Sequence, residues 1–176
     1  MTKTDSLLFI VEGEKREQDL LSSLSALFSP KSDPIIIPVS MNIYMLYALL
    51  QKDGFYTDIV EVLREQVPAA KEKLQGYSRD SFSGVYLFFD FDKQANNLRN
   101  GTEADYSNTL RKMLDRFGDA TEDGKLYLSY PMVEAFRDFA PESCAIPSGK
   151  CFVKRDDFSD YKNASSVSPY QQISHG

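Results

Sequence analysis

The residues Val85-Tyr86-Leu87-Phe88-Phe89-Asp90-Phe91-Asp92 make an apolar run that ends in two carboxylates one residue apart. In a parallel sheet covered on both faces, central strands read as continuous Val, Leu and Phe runs, and ligands gather outside their carboxyl ends. The run therefore reads as a buried strand that delivers charge to the rim of a sheet. Side chains alternate along a strand, so Asp90 and Asp92 point to one side and can face a single ion. Carboxylate oxygens in that position suit a hard divalent cation.

A second apolar run, Ser6 to Val11, stops at Glu12-Gly13-Glu14, where Gly13 permits a tight turn and close backbone approach. Leu20, Leu21, Leu24, Leu27 and Phe28 then recur at three and four, predicting a helix over 14–28 with Glu14 and Glu17 in its first turns, where acids suit the dipole. Ile35-Ile36-Ile37-Pro38-Val39-Ser40 reads as the next strand, and Pro38 directs it to a sheet edge. Helices follow over 42–51 and 58–74, the latter interrupted at Pro68, with a loop at 76–80. Beyond Asp92 the polar stretch 93–101 lies across the mouth of any site at the strand end. Thr102 opens a helix whose stripe is Leu110, Met113, Leu114 and Phe117, with Gly118 closing it. Lys125 to Tyr130 is a fourth strand, and Pro131 starts a helix running to Phe139. Cys151 to Lys154 reads as a short added strand. The stretch from Asp157 to Gly176 has little periodicity, which leaves open a mobile tail or a chain that continues.

Alternating strands and helices with right-handed crossovers give an α/β layered, Rossmann-like fold with a mostly parallel four-stranded sheet flanked by helices. A length of 176 residues suits one core. The division is a domain over 1–150, with a helical insertion at about 42–80, and an irregular extension over 151–176. Twelve Phe and ten Tyr supply aromatic material for packing.

The net charge of −6 argues against holding nucleic acid by phosphate neutralisation alone. It leaves room for a metal-dependent nuclease, because a bound cation neutralises clustered acids and itself contacts phosphate. Two cysteines and one histidine make neither a disulfide framework nor a zinc set. The apolar residues before Glu12 are too few for a signal peptide or a membrane span, so the expected compartment is the cytoplasm, with no membrane partner.

Topology brings Glu12, after the first strand, toward Asp90 and Asp92, after the third; Glu134, after the fourth, is a further candidate. Carboxylates gathered together repel unless cations or protons intervene, which points to Mg²⁺ or Mn²⁺. Such an ion polarises a phosphoryl oxygen or activates water. The plainer reading is that strand-end aspartates serve as turn residues and that Glu14 and Glu17 serve only the helix start. Lys93, Arg99, Lys15 and Arg16 are placed where a basic side chain can meet a phosphate, against the plainer reading that exposed basic residues there contact nothing specific. A phosphoaspartyl or receiver-like domain also needs strand-end aspartates, but its paired acids follow the first strand, and here they follow the third.

Val11-Glu12-Gly13-Glu14-Lys15-Arg16-Glu17, with Phe89-Asp90-Phe91-Asp92 far downstream and Tyr130-Pro131-Met132-Val133-Glu134 later still, resembles the Toprim domain. The wording is closest to the RloB-like and OLD-nuclease group of bacterial anti-phage proteins, over about residues 7 to 140. The resemblance implies a metal-dependent nuclease acting on DNA or RNA, with Glu12 as ligand or general base and Asp90 and Asp92 holding Mg²⁺ or Mn²⁺. Glu134 would be a further ligand, and Gly13, Lys15, Glu17 and Lys93 would support the site or contact phosphate. Arg16 stands where that group often has Thr, and Tyr130 where it has Asn, departures that bear on substrate. No Gly-rich ATPase motif is present, so an OLD-like ATPase half would be a separate chain; self-association is the other partnership the resemblance allows. The alternative of a different class is a non-catalytic Toprim-like module that docks on such an ATPase or senses a phage component.

Overall fold

A computed structural model describes residues 6–28, 34–52, 54–91 and 103–129. Asp92, Lys93 and Glu134, the helix expected from Pro131, the strand expected at 151–154 and the tail lie outside them.

In chain order the elements are β1 (Leu7–Val11), α1 (Arg16–Phe28), β2 (Ile35–Pro38), α2 (Ile43–Gln51), α3 (Ile59–Gln66) and α4 (Pro68–Lys73). A 3-10 turn (Arg79–Ser81), β3 (Gly84–Asp90), α5 (Glu103–Arg116), β4 (Gly118–Asp119) and β5 (Gly124–Ser129) follow. The strands form one sheet in the order β2-β1-β3-β5-β4. β1, β2, β3 and β5 are parallel, and only β4 runs antiparallel to its neighbour. Pro38 sits on the edge strand β2, where its missing N–H interrupts no interior ladder.

One face of the sheet carries the main core. Leu8, Ile10, Ile37, Val85, Leu87, Phe89 and Leu126 alternate along their strands and are buried against α2, α3, α4 and the Met113 and Phe117 end of α5. Full burial of side chains this size stabilises by about 1.5–3 kcal/mol each. The opposite face is aromatic: Phe9 meets Tyr86 and Phe88 edge-on at 5.7 and 5.9 Å, and Phe88 stacks on Tyr127 at 5.3 Å. The two faces follow from handedness. The crossover from β1 to β2 runs one way along the sheet and those from β2 to β3 and β3 to β5 the other, so right-handed connections put α1 on one side and α2–α5 on the other.

Local chemistry sets the helix ends. The Asn42 side chain accepts from the Met45 amide at 3.0 Å to open α2, and Asp58 accepts from the Glu61 amide at 2.9 Å to open α3. The periodic stretch 58–74 divides at Pro68, which lacks the N–H that would continue α3 and instead begins α4.

Three expectations are corrected. The sheet has five strands, because Gly118–Asp119 pairs antiparallel with the start of β5; two residues carry no hydrophobic pattern to announce a strand. Gly118 accordingly begins β4 rather than capping α5, which ends at Arg116 with the Phe117 amide bonded to the Met113 carbonyl at 2.8 Å. Glu14 precedes α1, which begins at Arg16.

The short hairpin is fastened from outside. Arg79 Nη2 donates to the Ala120 carbonyl at 2.6 Å, Nη1 to the Phe82 carbonyl at 2.9 Å, and Nε to the Glu122 carbonyl. Burial pulls the Arg79 pKa below its ordinary value, while Asp80, Asp123 and other acids oppose that shift. The Asp119 carboxylate accepts from the amide and the hydroxyl of Thr121, both at 2.7 Å. The amide bond first, then the hydroxyl bond, holds its pKa below the usual carboxylate range. At Gly124, with φ of +130°, an added Cβ would lie 2.5 Å from Leu87 Cδ1.

Candidate functional site

In the order β2-β1-β3-β5, the connection from β1 goes left and that from β3 goes right, so the strand order reverses between β1 and β3. Crevices outside the carboxyl ends at such a reversal are where open α/β sheets bind ligands. Glu12 follows the last residue of β1, and Asp90 is the last residue of β3.

The two are joined directly. The Glu12 amide donates to the Phe88 carbonyl at 3.2 Å, extending the β1–β3 ladder by one bond. In an extended strand the carbonyl of a residue faces the same neighbour as its amide, so the Asp90 amide would next meet the Glu12 carbonyl. That carbonyl instead accepts from the Ser40 amide, on the β2 side, at 3.1 Å. The Asp90 amide donates to Glu12 Oε2 at 3.1 Å. A side-chain oxygen thus substitutes for a backbone one, and the Glu12 carboxylate is held at the tip of β3 beside Asp90. Both residues are half-buried.

The rest of the loop is tied on its other flank. Glu14 is exposed, and its Oε1 accepts from the Ser40 hydroxyl at 2.9 Å. The Gln18 side chain donates to the Glu14 carbonyl. Ser40 holds a φ of +51°, in the left-handed region that costs a non-glycine residue energy unless its surroundings impose it. Sequence reasoning placed Ser40 only as the last residue of a strand. The one available signal was a small polar residue closing a β-branched run at the carboxyl end of a parallel strand.

Gly13 matters for space rather than for φ. A Cβ there would come within 2.8 Å of Glu17 Cδ and closer still to its oxygens, so the missing side chain is what seats the Glu17 carboxylate over the turn. Glu17 and Asp90 both line a cavity of about 110 Å³ between α1 and the tips of β3 and β5, walled by Leu20, Leu24 and Phe88 and reaching Ser129. Lys15 and Arg16 are exposed on the turn into α1.

The structure therefore brings Glu12 and Asp90 together and sets Glu17 beside the same crevice, while Asp92, Lys93 and Glu134 lie outside the described residues. The Glu12 carboxylate, held on the Asp90 amide, and the Asp90 side chain beside it offer oxygen donors of the kind a hard divalent cation takes. Among the described residues, no group of three or more His, Cys, Asp and Glu side chains is gathered to hold a metal ion. None of the described helices is long and apolar enough to cross a membrane. No protein-family model, no curated protein and no solved structure matches this chain.

Proposed function

We propose that this chain is a Toprim-type, metal-dependent nuclease that hydrolyses phosphodiester bonds in DNA or RNA, serving as the effector of a bacterial anti-phage system. The observation that carries the reading is the Glu12 carboxylate held against the Asp90 amide at the point where strand order reverses.

Glu12, Asp90 and, from the sequence, Asp92 would hold Mg²⁺ or Mn²⁺, which when bound supplies charge stabilisation at the scissile phosphate and a more acidic water. Glu12 would orient a water and accept its proton as the water oxygen attacks phosphorus. The bond from phosphorus to the leaving sugar oxygen breaks, and the proton returns to that oxygen. Asp90 carries the charge that keeps the ion at the strand tip. The tether through the Asp90 amide keeps the Glu12 carboxylate from swinging away, which is the positional control that efficient proton transfer needs.

The test is cleavage of labelled single- and double-stranded DNA and RNA in Mg²⁺ or Mn²⁺ by the wild-type chain and by Asp90→Ala. Divalent-dependent cleavage that Asp90→Ala abolishes supports the proposal. Cleavage undiminished in Asp90→Ala contradicts it, and binding to an ATPase partner without any cleavage would favour the docking-module alternative.

A further inference from the structure

We infer that Ser40 is a positioning residue whose left-handed turn directs the Glu12 carboxylate onto the tip of β3. The inference rests on the metal reading only for its functional consequence; the turn itself is a matter of backbone geometry.

The hydrogen bonds at the end of β1 depend on one another. The Glu12 carbonyl can serve the Asp90 amide, as a continued parallel ladder would have it, or the Ser40 amide. It serves Ser40, at 3.1 Å, because the chain leaving β2 turns there with φ of +51° and points that amide back at β1. Immediately before the turn, the Val39 amide still bonds the Val11 carbonyl in ordinary register at 2.9 Å, so the departure begins at Ser40. With its backbone acceptor taken, the half-buried Asp90 amide is satisfied by Glu12 Oε2. The Ser40 hydroxyl closes the arrangement by donating to Glu14 Oε1 at 2.9 Å, which fastens the far side of the Glu12-Gly13-Glu14 turn and offsets part of the cost of the Ser40 conformation. An extended Ser40 would release the Glu12 carbonyl to Asp90, and the carboxylate would lose its seat.

Substitutions at Ser40 separate conformation from hydroxyl. Ser40→Gly keeps the amide and accepts the positive φ, whereas Ser40→Val is strongly averse to it. Ser40→Ala acts in the same direction as valine at smaller amplitude, which keeps the test open if the valine chain does not fold. The first readout needs no metal: the ¹⁵N–¹H shift of the Asp90 amide is compared with and without Glu12→Gln, which changes the acceptor bonded to that amide. In the wild-type and Ser40→Gly backgrounds Glu12→Gln is expected to shift the Asp90 amide peak, and in Ser40→Val to leave it in place. The second readout is Mn²⁺ affinity by electron paramagnetic resonance, expected to weaken about tenfold in Ser40→Val, the scale of losing a residue that orients a metal ligand, and to stay near wild type in Ser40→Gly. An Asp90 amide peak that still moves with Glu12→Gln in both Ser40→Val and Ser40→Ala, together with unchanged Mn²⁺ affinity in both, would overturn the inference. A wild-type chain whose Asp90 amide peak moves with Glu12→Gln but which binds no Mn²⁺ would overturn the metal reading and support the Ser40 turn as the device that places Glu12.

Discussion

Glu12 has an architectural duty that can be measured apart from any chemistry. Its Oε2 is the acceptor of the half-buried Asp90 amide, because the carbonyl that would continue the ladder is bonded to Ser40. Glu12→Ala removes the acceptor and leaves a partly desolvated donor, at a cost of about 1–3 kcal/mol. For a chain of this size each kcal/mol lowers Tm by about 2–4 °C, so the alanine variant should melt roughly 2–12 °C below the wild type. Glu12→Gln keeps an oxygen at the same reach and loses only the charge assistance, so its loss should be less than half that of alanine. Urea denaturation with unchanged m-values gives both numbers directly. For the proposed nuclease activity the same pair should invert the ranking of similarity: glutamine, less destabilised than alanine, should be as inactive, since a carboxamide would neither accept the proton nor carry the charge. If Glu12→Ala unfolds within 0.5 kcal/mol of wild type, or if glutamine is as destabilised as alanine, the substitution of side-chain for backbone acceptor is wrong.

Arg79→Met should cost about 2–4 kcal/mol in urea melts, because three carbonyls, those of Phe82, Ala120 and Glu122, lose a charged donor that bridges the 3-10 turn to the β4–β5 hairpin; a loss under 0.5 kcal/mol would show the clamp to be incidental. Gly124→Ala combines a disfavoured φ of +130° with a Cβ 2.5 Å from Leu87 Cδ1, so a destabilisation of about 2–4 kcal/mol is expected, and a neutral result would contradict the packing at the start of β5. The Asp119 pKa is depressed in the folded protein, so its charged form adds stability above the unfolded carboxyl value of about 4, and that stability is lost as pH falls through the lower native value. Asp119→Asn should therefore melt below wild type at neutral pH and converge with it in acid; a gap that persists at low pH would mean that Thr121 does not depend on the charge.

The strands were legible because each central one is a continuous apolar run of strand length: Leu7–Val11 and Gly84–Asp90 differ from expectation by a residue at most. Pro38 was legible for a different reason, its missing donor, which restricts it to an edge. What local pattern cannot carry is a structure made by distant partners. β4 is two residues that become a strand only through β5, and Arg79, in a polar stretch that reads as loop, acquires its role from carbonyls some forty residues away. At the site, sequence order and right-handed crossovers were enough to bring Glu12 to Asp90. The way they meet was not legible, because it depends on Ser40 adopting a φ that the residue type does not favour. Nothing periodic announces such a turn.

In the proposed nuclease, Glu12 and Asp90, adjacent where strand order reverses, hold a catalytic divalent ion. Crystals grown with Mn²⁺ and measured at a wavelength where manganese scatters anomalously test it most directly. An anomalous peak within coordination distance of both carboxylates, absent in Asp90→Asn, is expected. Well-ordered strand tips with no peak in the wild-type crystal, or a peak that survives the substitution unchanged, would contradict it.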